Sequence, residues 1–240
     1  MNDDTRDLLL DLNRTFYQTF AQDFSATRQR LQPGVMGILE RISATDDILD
    51  IGCGNCRLGK LLLDRGHQGL YSGLDSSAEL LEIARRDFPR LDNFSLIHGN
   101  ISTGDWSFDL PANQYDLVLA FAVLHHIPSF ELREQILFKI ADLTASGAQF
   151  IHSEWQLLNS SRLRSRIQPW ESIGITAEDV EDGDYLVDWR AGGSGLRYIH
   201  IFDFPELEIL ASSTGFKIME SFHSDGEGGN LGLYQIWKRL

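Results

Sequence analysis

Basic charge is scarce in this chain: 21 Lys and Arg stand against 35 Asp and Glu, a formal net charge of −14. That balance excludes loose electrostatic adhesion to nucleic acid or to anionic membranes as the basis of function. It leaves room only for a polyanion gripped by a local basic patch. Long apolar runs are missing as well, and none reaches the ~20 residues of a membrane-spanning helix. Cysteine is nearly absent: Cys53 and Cys56 form one C-x-x-C pair, a spacing seen in redox motifs and in halves of zinc sites. Zinc needs two further ligands, and with no second pair the expectation is no metal and two small loop residues. Met1-Asn2-Asp3-Asp4 is acidic and lacks the basic-then-apolar layout of a signal peptide, so a cytoplasmic protein without a membrane partner is expected. With 240 residues, 42% of them hydrophobic, and six prolines, the chain can bury one large core, or one core with an insertion.

Against these absences stands one dense motif. Asp47-Ile48-Leu49-Asp50-Ile51-Gly52-Cys53-Gly54 is an apolar run that ends in an acid and is followed by two glycines opening a helix. Glycine permits a sharp backbone turn and close approach of a ligand. A second strand, Leu70 to Asp75, also ends in an acid, the position that holds a ribose diol in nucleotide-binding halves. The third glycine of a dinucleotide fingerprint is replaced by Arg57, which weakens a pyrophosphate reading. A carboxylate at this turn suits an ammonium group rather than a phosphate. S-Adenosylmethionine carries an ammonium and a ribose and no phosphate, so it is the expected cofactor. A dinucleotide, or a turn with no ligand, is the alternative.

Around the motif, helical and strand periodicities alternate. Leu8, Leu9, Leu12, Phe16 and Phe20 pattern a helix over about 5–24, and Pro33-Gly34 starts a short one to about Ser43. Strands are expected at Ile48–Ile51, Leu70–Asp75, Phe94–Ile97, Asp116–Ala122 and Ala148–His152. Between them lie helices whose ends are marked by Gly66, by Pro89 after Phe88 and by Gly147. Ser76 with Glu79 reads as a capping box for the second of these helices. The pattern predicts an α/β fold, a doubly wound, mostly parallel sheet with helices on both faces. The last two strands, 216–222 and 231–238, are expected as an antiparallel edge pair after a helix at 204–214. One domain over 1–240 follows, with an N-terminal helical cap at about 1–44. A substrate-side insertion at about 155–203 is rich in arginine (Arg162, Arg164, Arg166, Arg190, Arg197) and carries an acidic block from Glu178 to Asp184.

The Asp50-x-Gly52-x-Gly54 turn, Asp75, Tyr115-Asp116-Leu117-Val118 and Leu124-His125-His126-Ile127 together resemble the class I S-adenosylmethionine-dependent methyltransferases. The resemblance implies a Rossmann-like, seven-stranded sheet and methyl transfer. A narrower resemblance runs through nearly the whole chain. Phe24-Ser25-Ala26-Thr27-Arg28, Asp50-Ile51-Gly52-Cys53-Gly54-Asn55, Trp155, Tyr185-Leu186-Val187-x-Trp189 and Arg197-Tyr198-Ile199-His200-Ile201-Phe202 resemble motifs of the tRNA wobble-uridine carboxymethyl methyltransferases. That family includes the methyltransferase domain joined to an AlkB-type oxygenase. This chain departs from it at Gln29 to Pro33, where the family has K-P-W-P, at Asn100 in place of an acid, and at Leu231 in place of a tryptophan. The resemblance implies a carboxylate acceptor on 5-carboxymethyluridine, a tRNA anticodon-loop partner, and a small zinc-binding activator protein such as eukaryotic relatives use. A small-molecule acid remains the alternative acceptor, and a module that only binds cofactor is a further one.

A carboxylate nucleophile needs no general base near neutral pH; it needs cations that orient it. Arg28, His125, Arg197 and His200 are the expected catalytic residues. Arg197 and His200 are taken as an i, i+3 pair, and only one of the adjacent His125 and His126 is expected to face the site. Trp155 and Tyr17 are expected at the substrate. Asp50, Gly52, Cys53 and Gly54 are expected at the methionine end of the cofactor, Asp75 and Ser76 at the ribose, Asn100 and Ile101 at the adenine, and Phe121 beside them. Arg162, Arg164 and Arg166 read either as a phosphate-binding strip or as a solvated face.

Overall fold

The computed structural model describes residues 1–27, 30–87, 92–190 and 193–240. Helix α1 (Asp3–Thr19) starts on Asn2, whose side chain accepts the Thr5 N–H, and buries Thr5, Leu9, Asn13 and Phe16. The expected single helix over 5–24 is two: α1 stops at Phe20, and α2 (Ala21–Thr27) follows. Pro33 opens α3 (Pro33–Leu39) at its first position, where a missing N–H leaves no bond unmade.

The sheet strands then alternate with helices. β1 (Ile48–Ile51) leads through the glycine turn to α4 (Arg57–Asp64), and β2 (Tyr71–Asp75) leads to α5 (Ala78–Asp87). β3 (Phe94–His98) is followed by β4 (Tyr115–Phe121), a 3-10 turn (Leu124–His126), α6 (Phe130–Leu143) and β5 (Thr144–Trp155). The capping residue of α5 is Ser77, whose hydroxyl accepts the Leu80 N–H, rather than Ser76. The end expected near Phe88 and Pro89 lies outside the described residues. β5 starts earlier than expected. It pairs at Thr144 with Tyr115, bulges through Gly147 at φ +80°, and resumes pairing at Gln149.

After a short helix α7 (Ser161–Arg164), three strands form a separate antiparallel sheet: β6 (Ile167–Gln168), β7 (Asp184–Trp189) and β8 (Gly195–His200). Helix α8 (Phe204–Ser213) and the hairpin β9 (Phe216–Ser224) and β10 (Gly232–Arg239) complete the chain. The main sheet runs β3-β2-β1-β4-β5-β10-β9, parallel except where β10 pairs antiparallel to both β5 and β9. Its order reverses at β1, with β2 on one side and β4 on the other. A crevice at the carboxyl ends of the strands beside such a reversal is where ligands bind in open α/β sheets. Central strands are covered on both faces: β1 is buried throughout, and Val118, Leu119 and Ala120 of β4 are fully buried.

Candidate active site

A cavity of about 340 Å³ opens over the carboxyl ends of β1, β2, β4 and β5, within the roughly 300–1,000 Å³ of small-molecule sites. Asp50, Gly52, Cys53, Gly54, Asp75, Ser76, Asn100, Ile101 and Phe121 all line it, as do Tyr17, His125, Trp155 and Arg197.

The β1 end is built by backbone geometry. Gly52 and Gly54 have φ of +69° and +57°, a region L-residues seldom adopt. A Cβ on Gly52 would collide with the Val123 side chain, whereas one on Gly54 would meet no protein atom. The amides of Gly52 and Cys53 both donate to Leu74 O, which ties the turn to β2. Asp75 closes the arrangement by accepting the N–H of Gly54 at 2.7 Å and of Ser77 at 2.8 Å. Burial pushes its carboxyl up, and those amides pull it back. Asp50 accepts a 2.6 Å hydrogen bond from the Tyr71 hydroxyl. Burial raises its pKa to about 7 against that bond. A buried carboxylate and a half-buried one beside an open glycine turn fit a ligand carrying an ammonium and a diol. Asp50, Gly52, Gly54 and Asp75 are therefore the residues that would hold S-adenosylmethionine. Asn100 caps its own loop, its side-chain oxygen accepting the Ser102 N–H at 3.0 Å. Its oxygen retains a second lone pair toward the cavity. The Cys53 thiol is pushed up by a hydrogen bond with Cys56 and by burial, the opposite of an activated thiolate.

The opposite wall is cationic and aromatic. The Arg197 guanidinium is 3% exposed and packs over Trp155 at 4.5 Å and over Phe16 and Trp189 at 5.3 Å each. Trp155 is in turn stacked with the His125 ring, centroids 5.7 Å apart, so it packs against both an arginine and a histidine. Arg14, Arg30 and Arg57 also line the cavity, alongside the carboxylates of Asp50, Asp75, Glu154 and Asp225.

His125 and His126 both border the cavity, and their partners differ. His126 Nδ1 lies 3.2 Å from the Tyr198 carbonyl, which can only accept, so neutral His126 carries its proton there. Its Nε2 then accepts from the Tyr17 hydroxyl at 2.6 Å. Tyr17 therefore latches α1 onto the turn after β4. His125 is held by Glu154, whose Oε2 accepts the His125 backbone N–H at 3.0 Å and lies 2.9 Å from Nδ1.

Two expectations fall differently. Arg28 lies outside the described residues. His200 is not at the cavity. Residues three apart share a face on a helix, but 195–200 is strand, where an odd separation sends side chains to opposite faces. His200 instead bonds Asp184 at 2.7 Å and Glu206 at 2.8 Å, in a buried network with Glu181 and Arg133. Glu181, Asp184 and His200 offer ligand atoms within 4.8 Å of one another, but the Arg133 guanidinium already neutralises that cluster. The three-arginine strip is also broken. Arg162 and Arg164 sit on α7 about 200° apart around the helix, with buried Leu163 between them.

Two residues went unnoticed in the sequence. Asn13 pairs with the backbone of Tyr198 like a strand partner, donating to its carbonyl at 3.1 Å and accepting its N–H at 2.8 Å, and it also donates to His126 O. A polar residue on the buried stripe between Leu9 and Phe16 was the available signal. Glu154, an acid inside the apolar end of β5, was the other.

Residues 48–147 match a family model described as "Methyltransferase domain". The chain is 24% identical over 221 residues to tRNA (carboxymethyluridine(34)-5-O)-methyltransferase of Schizosaccharomyces pombe, covering 85% of this chain and 88% of that one. It is 34% identical over 119 residues to trans-aconitate 2-methyltransferase of Acidovorax ebreus, covering 49% of this chain and 40% of that one. A solved S-adenosylmethionine-dependent methyltransferase of Methanosarcina mazei shares the fold with a TM-score of 0.66 at 21% identity, over 88% of this chain and 98% of that one. The sheet order, the acid-flanked glycine turn and these matches agree. The chain is an S-adenosylmethionine-dependent methyltransferase enzyme, with a methyltransferase domain over residues 48–147 and the fold of the solved relative.

Proposed function

We propose that this enzyme transfers the methyl group to a carboxylate, and that the acceptor is the carboxylate of a 5-carboxymethyl-type wobble uridine in tRNA. The observation that carries the reading is Arg197, a cation buried in an aromatic box in the lining of the cavity that also holds Asp50 and Asp75. Burying a guanidinium is costly unless an anion or a π-face compensates it. Three rings fix its plane, and a planar, fixed guanidinium is suited to bidentate contact with a carboxylate. The cofactor, when bound, supplies an electrophilic methyl on a sulfonium. The chain's task is then to hold an acceptor oxygen in line, and such positioning contributes up to about 7–11 kcal/mol in well-oriented reactions. Arg197 orients the acceptor, His125 borders the reacting space, and α1 with Tyr17 covers it from water.

The relative named for carboxymethyluridine spans most of this chain, which supports the tRNA acceptor. In that reading an anticodon loop and a small zinc-binding activator protein are the proposed partners. A second reading, a small-molecule acid, is favoured by the net charge of −14 and by the relative named for trans-aconitate, itself a carboxylate. The deciding experiment supplies labelled S-adenosylmethionine with tRNA bearing 5-carboxymethyluridine, and in parallel with small di- and tricarboxylates. Alkali-labile label on a wobble nucleoside supports the first reading. Label on the small acids alone supports the second, and label on neither, with cofactor binding intact, rejects a carboxylate acceptor among those offered.

A further inference from the structure

We propose that Glu154 is a positioning residue: it stands as a neutral carboxylic acid, gives its hydrogen bond to His125 Nδ1, and thereby fixes His125 as an Nε2–H donor rather than a base. For its chemical meaning this rests on the carboxylate-methylating reading above; for its geometry it does not.

The argument starts at one nitrogen. The backbone N–H of Trp155 donates to His125 Nδ1 at 3.3 Å, and an amide has no other proton state to offer. Nδ1 must therefore present its lone pair. Glu154 Oε2 lies 2.9 Å from the same nitrogen. Two acceptors at that distance would repel, so the proton between them belongs to the carboxyl oxygen. The other oxygen, Oε1, is 3.0 Å from His152 Nδ1. His152 is fully buried against Phe150 and Trp237, and burial drops its pKa to about 3, so it is a neutral donor there. Glu154 is 1% exposed and its β10 neighbour is Leu233, so the pocket around it favours the uncharged acid. Burial holds its pKa well above the usual carboxylate range. Two charged groups act on it: Arg133 of α6, which works the other way but is committed to Glu181 and Glu206, and Glu206 of α8, which reinforces the neutral form.

The tautomer decides which acceptors the cavity serves. A hydroxyl or amine acceptor has to lose a proton, for which an Nε2 lone pair backed by a carboxylate would be the fitting arrangement. A carboxylate acceptor is already ionised. An Nε2–H donor in the same cavity as Arg197 would orient its oxygens while leaving the negative charge on the nucleophile.

The test reads the ring directly. In protein with 15N-labelled histidine, His125 should show an unprotonated Nδ1 and a protonated Nε2, unchanged across the neutral pH range. Glu154→Gln keeps a donor to Nδ1 and an acceptor for His152, giving up only the acceptor for the His125 N–H. It should keep the tautomer and most of the turnover. Glu154→Leu should leave the tautomers mixed and lower kcat about 10–100-fold, the usual range for a residue acting through another. Cofactor affinity by calorimetry should stay as in the wild type in both variants. A protonated Nδ1 in the wild-type protein overturns the assignment, whatever the acceptor proves to be. The expected tautomer combined with methyl transfer only to hydroxyls or amines leaves the Glu154 assignment standing and sinks the carboxylate reading instead.

Discussion

The two walls of the cavity are assembled differently. The cofactor wall comes from the ends of neighbouring parallel strands, with Asp50, Gly52, Gly54 and Asp75 all lying within the stretch matched by the family model. Its contacts are backbone turns and carboxylates. The acceptor wall gathers α1, the turn after β4, the end of β5 and the added sheet β6-β7-β8, from residue 13 to residue 197. Its contacts are a cation, aromatic rings and imidazoles. The first wall is bound to the sheet. The second also uses the ends of β4 and β5, but adds α1 and the insertion, parts that can vary without disturbing the sheet. If that division holds, variants of one wall should damage cofactor binding, and variants of the other should damage turnover alone.

The largest effect is expected at Asp75. It is the residue expected at the ribose, and it pins the glycine turn through Gly54 N–H. Asp75→Ala removes charge-assisted hydrogen bonds worth roughly 1.5–3 kcal/mol each, so cofactor affinity should fall at least about hundredfold. Calorimetric titration with S-adenosylhomocysteine checks this, and unchanged affinity would place the ribose elsewhere. Arg197→Met should do the converse. The thioether chain still packs between Trp155, Phe16 and Trp189, so cofactor affinity should hold while turnover falls by about 10–100-fold. Arg197→Lys should recover little, because a point charge does not reproduce the planar fork. A loss of cofactor affinity in the methionine variant would break the division between the walls.

Asp50 is predicted to make cofactor binding depend on pH. Its folded pKa is about 7, and an ammonium ligand needs the ionised form. Affinity should therefore decline as pH falls below about 7, by up to tenfold per unit, and level off above it. Asp50→Asn should bind weakly at every pH, without that slope. In cofactor-free protein the stability sign is opposite to that of a salt-bridged acid. The native state holds the proton more tightly than the unfolded chain, so stability drops as pH rises from about 4 to about 7. Asp50→Asn removes that penalty and should raise the melting temperature at alkaline pH, an effect on the order of a few kcal/mol.

How far the sequence reveals each wall follows from the same contrast. The seven strands and the two acids beside the glycine turn are readable because each is written in consecutive residues: an apolar run, an acid, a glycine turn. The split of α1 from α2 at Phe20 and the bulge of β5 at Gly147 were not, since tertiary pairing overrides local pattern there. The acceptor wall was readable only by residue type. Arg197, His125 and Trp155 line the cavity, but nothing local says that Asn13 would bond the backbone of β8, 185 residues away. His200 sits in the same motif as Arg197, but strand parity, which the motif does not display, turns it to the other face. Glu154 was passed over because an acid in a buried strand has meaning only through the partners that surround it.

His200 also offers the mildest test, one that should separate stability from the site altogether. Both ring nitrogens face carboxylates, Asp184 at 2.7 Å and Glu206 at 2.8 Å, so the ring is held as an imidazolium. Burial pulls its pKa down, but the two hydrogen bonds outweigh that and leave it raised above 6.5. With the folded value above the unfolded one, the contribution is fully present below about pH 6.5 and is lost as pH rises through the folded pKa. The melting temperature of the wild-type protein should therefore decline over that window, and His200→Gln should flatten the decline. The glutamine should cost about 1–3 kcal/mol at low pH, or roughly 2–4 °C per kcal/mol for a chain of this length, and progressively less above it. Because strand parity turns His200 away from Arg197, kcat and cofactor affinity should match the wild type wherever both proteins are folded. A kcat defect without a stability defect would mean that the buried network reaches the cavity through Arg133 and Ile127, and that the acceptor wall extends further than the cavity lining.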